Sequence, residues 1–143
     1  MHVESMRKIQ KLFIKKSSKN GMDEGEKMKT IGLIGGMSWE STVTYYQIIN
    51  ESVKNMLGGF HSSKIMMYNV DFAELEENMR SGNWDGNAVI LSEAAKKLEK
   101  AGAQGVILGC TEIGMLIAQK DSVLPVYDTT IIHASEAARM QCE

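Results

Sequence analysis

Apolar and polar positions along the chain alternate between two rhythms, short continuous apolar runs and longer stretches of helical period. Thr30-Ile31-Gly32-Leu33-Ile34 is an apolar run closed by Gly35-Gly36, which predicts a strand buried on both faces and then a tight turn. The period then changes. Trp39, Val43, Tyr46, Ile49, Val53 and Leu57 recur at steps of three and four, the stripe of an amphipathic helix with Ser38 as its N-cap and Gly58-Gly59 as its stop. Residues 64–70 form a second strand, after which Asp71, with Glu74 three positions on, starts another helix. Ala88, Leu91, Ala95 and Leu98 mark the buried side of a further helix ended by Gly102. Residues 105–109 are a third buried strand, residues 115–119 a short helix, 125–127 a fourth strand and 131–140 a last helix.

Strands alternating with helices predict an α/β fold, a three-layer αβα domain with a four-stranded parallel sheet. Right-handed crossovers lay the helices on both faces, and the common doubly wound order is 2-1-3-4. In that order the first and third strands are neighbours where the winding reverses, and ligands bind beyond their carboxyl ends. The loops Gly35-Gly36-Met37-Ser38 and Cys110-Thr111-Glu112 therefore converge.

At 143 residues and 43% hydrophobic, the chain has material for one core rather than two domains. Its 16 Lys and Arg are unevenly spread, seven of them falling in residues 1–27 beside four acids. That segment, poor in apolar residues, reads as a disordered tail, and residues 28–143 read as a single domain. Both Met1 and Met28 are plausible starts, since a new pattern opens at Met28. The remainder is acidic and carries no basic stripe with interleaved aromatics, so nucleic acid is not the expected partner; a small molecule is. Two cysteines without metal-like spacing predict no metal site and no disulfide scaffold. Together with the lack of a signal-peptide core or a membrane-length apolar run, they point to the cytoplasm and to no membrane.

Cys110 ends a strand and precedes a helix, a place where a helix N-terminus lowers a thiol's pKa and makes it a nucleophile or a base. The alternative is a packed, inert cysteine. The Gly35-Gly36-Met37-Ser38 turn, with Ser41 and Thr42, offers backbone N–H groups and hydroxyls to a carboxylate or phosphate, or is only a tight turn. It lacks the full dinucleotide spacing. His133 on the last helix reads as packing, Trp39 and Trp84 as core, and Cys142 as an inert residue near the chain end.

Longer segments carry a resemblance. IGLIGGMSWEST from Ile31, Tyr45-Tyr46, INES at Ile49, GGFHS at Gly58 and VDFAELEE at Val70 resemble the opening of the bacterial aspartate/glutamate racemase family. GAQGVILGCTEIG from Gly102 and LPVYDTTIIHA from Leu124 resemble its closing segment. The resemblance implies a PLP-independent racemase that needs no cofactor and acts on a small acidic amino acid. In that family two similar α/β domains each supply one cysteine to a site between them. Inversion needs an acid and a base on opposite faces of the α-carbon, which explains the pair.

By the same resemblance Cys110 is a proton-transfer base. Met37, Ser38 and Thr42 fall on the substrate-loop motif, and Thr111 and Glu112 on the catalytic-strand motif. Met79, before Arg80, occupies a substrate-contact position where relatives carry a polar residue. The family's first cysteine, in a Cys-Thr-Asn context, and the long middle that follows it have no counterpart here. Gly102-Ala103 runs directly into the second cysteine motif. Because the two family domains repeat one plan, the join restores a βαβαβαβα count. It leaves one cysteine and one wall of the cleft, so self-association as a homodimer is expected. The competing reading is a catalytically inactive remnant that binds a small carboxylate or a partner subunit.

Overall fold

The computed structural model describes residues 28–142; the segment 1–27, read above as a tail, and Glu143 lie outside the described residues. The elements run β1 (Ile31–Gly35), α1 (Trp39–Leu57), β2 (Ile65–Asn69), α2 (Phe72–Arg80), α3 (Trp84–Lys100), β3 (Val106–Leu108), α4 (Ile113–Leu116), a 3-10 turn (Gln119–Asp121), β4 (Val126–Asp128) and α5 (Thr129–Gln141). All strand pairings are parallel and the order is β2-β1-β3-β4, the doubly wound arrangement expected from the pattern.

Alternation along the central strands divides the core into two layers. Ile31 and Leu33 of β1 and Ile107 of β3 point to one face, where Ile49, Tyr45 and Ile48 of α1 and Ile132 of α5 cover them. Ile34, Val106 and Leu108 point to the other, against Leu75 of α2, Leu91, Ala94, Ala95 and Leu98 of α3, and Ile113 of α4. Helices thus lie on both sides of the sheet.

The helix starts follow their local chemistry. Ser38 caps α1 by accepting from the Ser41 N–H, Asp71 caps α2 through the Ala73 N–H, and Asn83 caps α3 through the Gly86 N–H. α1 ends at Gly58, whose φ of 76° suits the residue without a Cβ.

The register of α1 against the sheet departs from the sequence reading. The stripe expected to be buried is mostly outside: Trp39 is 63% exposed, and Val43, Tyr46 and Leu57 are exposed too, whereas Ile49 and Val53 are buried. The side turned to the sheet instead joins Thr42, Ile49, Ser52 and Val53. α1 carries apolar residues on more than one side, and periodicity does not say which side meets the strands. Trp84, at the start of α3, is likewise 53% exposed and not core.

Between α2 and α3 a chain of asparagines adds to the apolar packing around Leu75 and Leu91. Asn87 is fully buried; its Nδ2 donates to the Leu75 carbonyl at 3.0 Å and its Oδ1 accepts from Asn78 Nδ2 at 3.0 Å. Asn78 in turn accepts from Asn83 Nδ2 at 3.1 Å. Satisfied on both sides, the buried amide fixes the angle of the helix pair. Asn87→Ala should cost about 1–3 kcal/mol, because the Leu75 carbonyl would lose its side-chain donor in the interior. The denaturant midpoint of the variant against the wild type checks this.

Candidate functional site

The carboxyl ends of β1 and β3 lie side by side, with Ile34 opposite Leu108, so the two loops that leave them meet at one edge of the sheet. Each loop is held by specific contacts. Gly36 has φ of 103°, and a Cβ there would collide with the backbone of Val70; Gly35 lies similarly tight against Thr42. The Gly36 N–H donates to Thr42 Oγ1 at 3.1 Å, and the same hydroxyl donates to the Ser38 carbonyl at 3.1 Å. The glycines are thus explained by close packing. On the neighbouring side, Thr129 Oγ1 donates to the Leu108 carbonyl at 2.8 Å, tying the start of α5 to the end of β3 just before Cys110.

Cys110 is partly buried, and its thiol donates to Glu112 Oε2 at 2.6 Å. Thr111 Oγ1 donates to the same oxygen at 2.8 Å. The two donors hold the Glu112 carboxyl below the usual carboxylate range. The thiol moves the other way: burial first, then the bond to the Glu112 carboxylate, push its pKa up. This reverses the expectation of a lowered thiol. α4 is only four residues long, and its N-terminus offers little dipole against desolvation and a carboxylate at hydrogen-bond distance.

Cys110 opens into a cleft of about 490 Å³ between α1 and α5. Ser41 and Tyr45 line it from α1, Gly109, Cys110 and Thr111 from the loop after β3, and Thr129, Thr130, His133, Ala134 and Ala137 from α5. Of the residues named from the sequence, Cys110 and Thr111 therefore line the cleft, and Glu112 is bonded to both. Met37 is buried in the core among Val70 and Leu75. Thr42 is buried as the clamp of the turn, and Ser38 is the exposed cap of α1, its Oγ donating to Glu40 at 3.2 Å. Met79 is partly buried on α2 and does not line the cleft.

The cleft is walled on this side by Ser41 and Tyr45, in the first two turns of α1, and not by the glycine turn itself. His133, read above as packing, lines the cleft instead. The signal was present in Asp128-Thr129-Thr130 directly after a strand, with His133 and Ala137 following at helical spacing. Among the described residues no group of three His, Cys, Asp or Glu is placed to hold a metal ion, and no helix is long and apolar enough to cross a membrane.

The dyad makes a prediction about the thiol. In Glu112→Gln the negative charge is gone while burial remains, so the pH midpoint of Cys110 alkylation should move down toward, but not below, an ordinary thiol. A pH series of alkylation rates resolved by mass spectrometry, with exposed Cys142 as internal reference, reads the shift. An unchanged midpoint would remove Glu112 from the account.

No family model matches the chain. Solved structures share its fold, among them two racemase homologues. A candidate Asp/Glu racemase from Yersinia pestis is 28% identical over 81% of this chain and all of that one, with a TM-score of 0.54. An aspartate racemase homologue from Pyrococcus horikoshii is 29% identical over 79% of this chain, with a TM-score of 0.72; the match spans 50% of that chain. The likeness therefore joins this chain, at the level of the fold, to Asp/Glu racemase homologues, in one case to half of the molecule.

Proposed function

We propose that the chain belongs to the aspartate/glutamate racemase lineage and performs cofactor-independent, cysteine-mediated α-proton transfer on a small acidic amino acid. The observation that carries this reading is the Cys110–Glu112 pair at the mouth of a cleft, beyond the carboxyl ends of the two central strands. The racemase neighbours support a racemase-like function in general.

In this reading Cys110 loses its proton to solvent in a minor fraction of molecules, while the Glu112 carboxylate, held by Thr111, stays ionised and positions the sulfur. The thiolate then takes the α-proton of the bound amino acid, and the electron pair left on carbon delocalises into the adjacent carboxyl group. A thiol whose pKa is raised is a stronger base once ionised, which suits a weakly acidic carbon. The same shift makes the thiolate rarer. Return of a proton to the same face restores the starting enantiomer; return to the opposite face inverts it. One chain supplies Cys110 alone, because Cys142 follows the end of α5 and does not line the cleft.

Around the dyad, Ser41, Thr111 and Thr130 offer hydroxyls and Tyr45 an aromatic wall, while Met37, Ser38 and Thr42 hold the neighbouring turn and Met79 lies outside the lining. Exchange of the α-proton of L- and D-aspartate and glutamate for solvent deuterium, measured alongside chiral analysis, tests the proposal. Exchange that exceeds inversion is the result expected of one base. No exchange with any of these substrates overturns catalysis and leaves a binding remnant.

A further inference from the structure

An acidic amino acid brings two carboxylates, and each needs a counter-charge or several donors in the cleft. Two ready-made anion sites are already occupied from within the chain. The Gly36 N–H is bonded to Thr42 Oγ1, and at the start of α5 the Thr130 and Ile131 N–H groups are bonded to Asp128 Oδ1 at 2.9 and 3.2 Å. At those two places the anion finds no open donor, which leaves part of its recognition to side chains. Among the described residues no lysine or arginine lines the cleft, and those lining it that can ionise are Cys110, Tyr45 and His133. Cys110 and Tyr45 become negative when they ionise and His133 becomes positive, so among the described lining residues the cation is that of His133.

We propose that His133 is the carboxylate-recognition residue of this cleft, its imidazolium pairing with one carboxylate of the ligand while Thr130 and Ser41 add hydroxyl donors. The proposal rests on the reading of the cleft as an acidic amino-acid site. His133 lies about one helical turn beyond Thr129 and Thr130, on the same side of α5, which turns all three toward Cys110. The groups that bear on its charge are Tyr45 from α1 and Cys110 with its bonded Glu112 from the loop after β3. Along the chain, Asp128 caps the start of α5 and the buried Glu136, paired with Arg139, follows His133 by three residues. These carboxylates repel a ligand anion, so its pairing in the cleft depends on a positive charge at His133.

The test is a titration of the isotope-labelled chain with L-aspartate, D-aspartate and succinate, followed by NMR at about pH 5.5 and about pH 8, the interval in which imidazole side chains lose their charge. The wild type should bind more tightly at the lower pH, with the largest shifts at residues 129–134. His133→Gln should weaken binding about tenfold at the lower pH and remove most of the pH dependence, whereas His133→Lys should restore affinity without it. The amide spectrum of each variant reports directly on whether it is folded. Equal affinity and an unchanged pH profile in folded His133→Gln would overturn the assignment. Succinate binding that requires His133, without binding or exchange of either aspartate, would support the carboxylate site and refute the amino-acid reading. Failure of all three ligands to bind the wild type would refute both.

Discussion

Replacing Cys110 with alanine should abolish exchange of the substrate α-proton with solvent, a loss of at least the ~10²–10⁴-fold that a positioned acid–base group contributes. The expectation follows from the lining of the cleft, in which Cys110 is the only sulfur group and Glu112 reaches the reaction through it. Exchange and inversion should also separate in the wild type. A lone base returns a proton to the face from which it took one, so the isolated chain should exchange readily and invert poorly.

Pairing of two chains would change this by placing a second Cys110 across the substrate, and inversion should then rise with protein concentration. The exposed apolar side of α1, with Trp39, Val43 and Tyr46, leaves surface for such pairing close to the cleft wall. A matched series of chiral analysis and light scattering over protein concentration decides between the cases. Robust inversion by the monomer would sink the one-base account, and exchange that survives in Cys110→Ala would sink the role of the thiol.

Gly36→Ala should be the most damaging single methyl group added near the site, costing about 2–4 kcal/mol. Two effects add. The backbone at Gly36 has φ of 103°, outside the range that alanine adopts without strain, and the new Cβ would meet the carbonyl and amide of Val70, which are backbone atoms and cannot rotate away. Relief requires moving the turn, and the Gly36 to Thr42 hydrogen bond moves with it. Gly58→Ala provides the control: its φ of 76° carries the strain, but nothing lies within 4 Å of an added Cβ. Denaturant unfolding of the two variants should show a much larger loss at position 36. Equal losses would mean that close packing against Val70 is unimportant and that the motif has another reason for its second glycine.

The comparison of these glycines shows what a sequence conveys. A Gly-Gly pair after an apolar run predicts a sharp turn, because that information is local: a positive φ and the end of a strand. Whether the turn also presents its N–H groups to a ligand depends on what folds back against it. Here Thr42 takes the Gly36 N–H, and Met37 turns inward to the core. The same division holds for Cys110. Its place at the end of β3 was legible, whereas the direction of its pKa was not, since that depends on burial and on the rotamer that brings Glu112 to 2.6 Å.

Element order, the caps at Ser38 and Asp71 and the sheet order 2-1-3-4 were determined by the sequence itself, through short-range periodicity, capping chemistry and the handedness of crossovers. Both layers of the core follow from the same alternation along β1 and β3. The tertiary structure alone decided which side of α1 meets the sheet, since a helix apolar on several sides carries no label for its buried one. It also brought Tyr45, Thr130 and His133 to the cleft beside Cys110: α1 and α5, separated in the chain by the other helices, cover the same face of the sheet, and only their packing side by side makes a wall opposite the thiol.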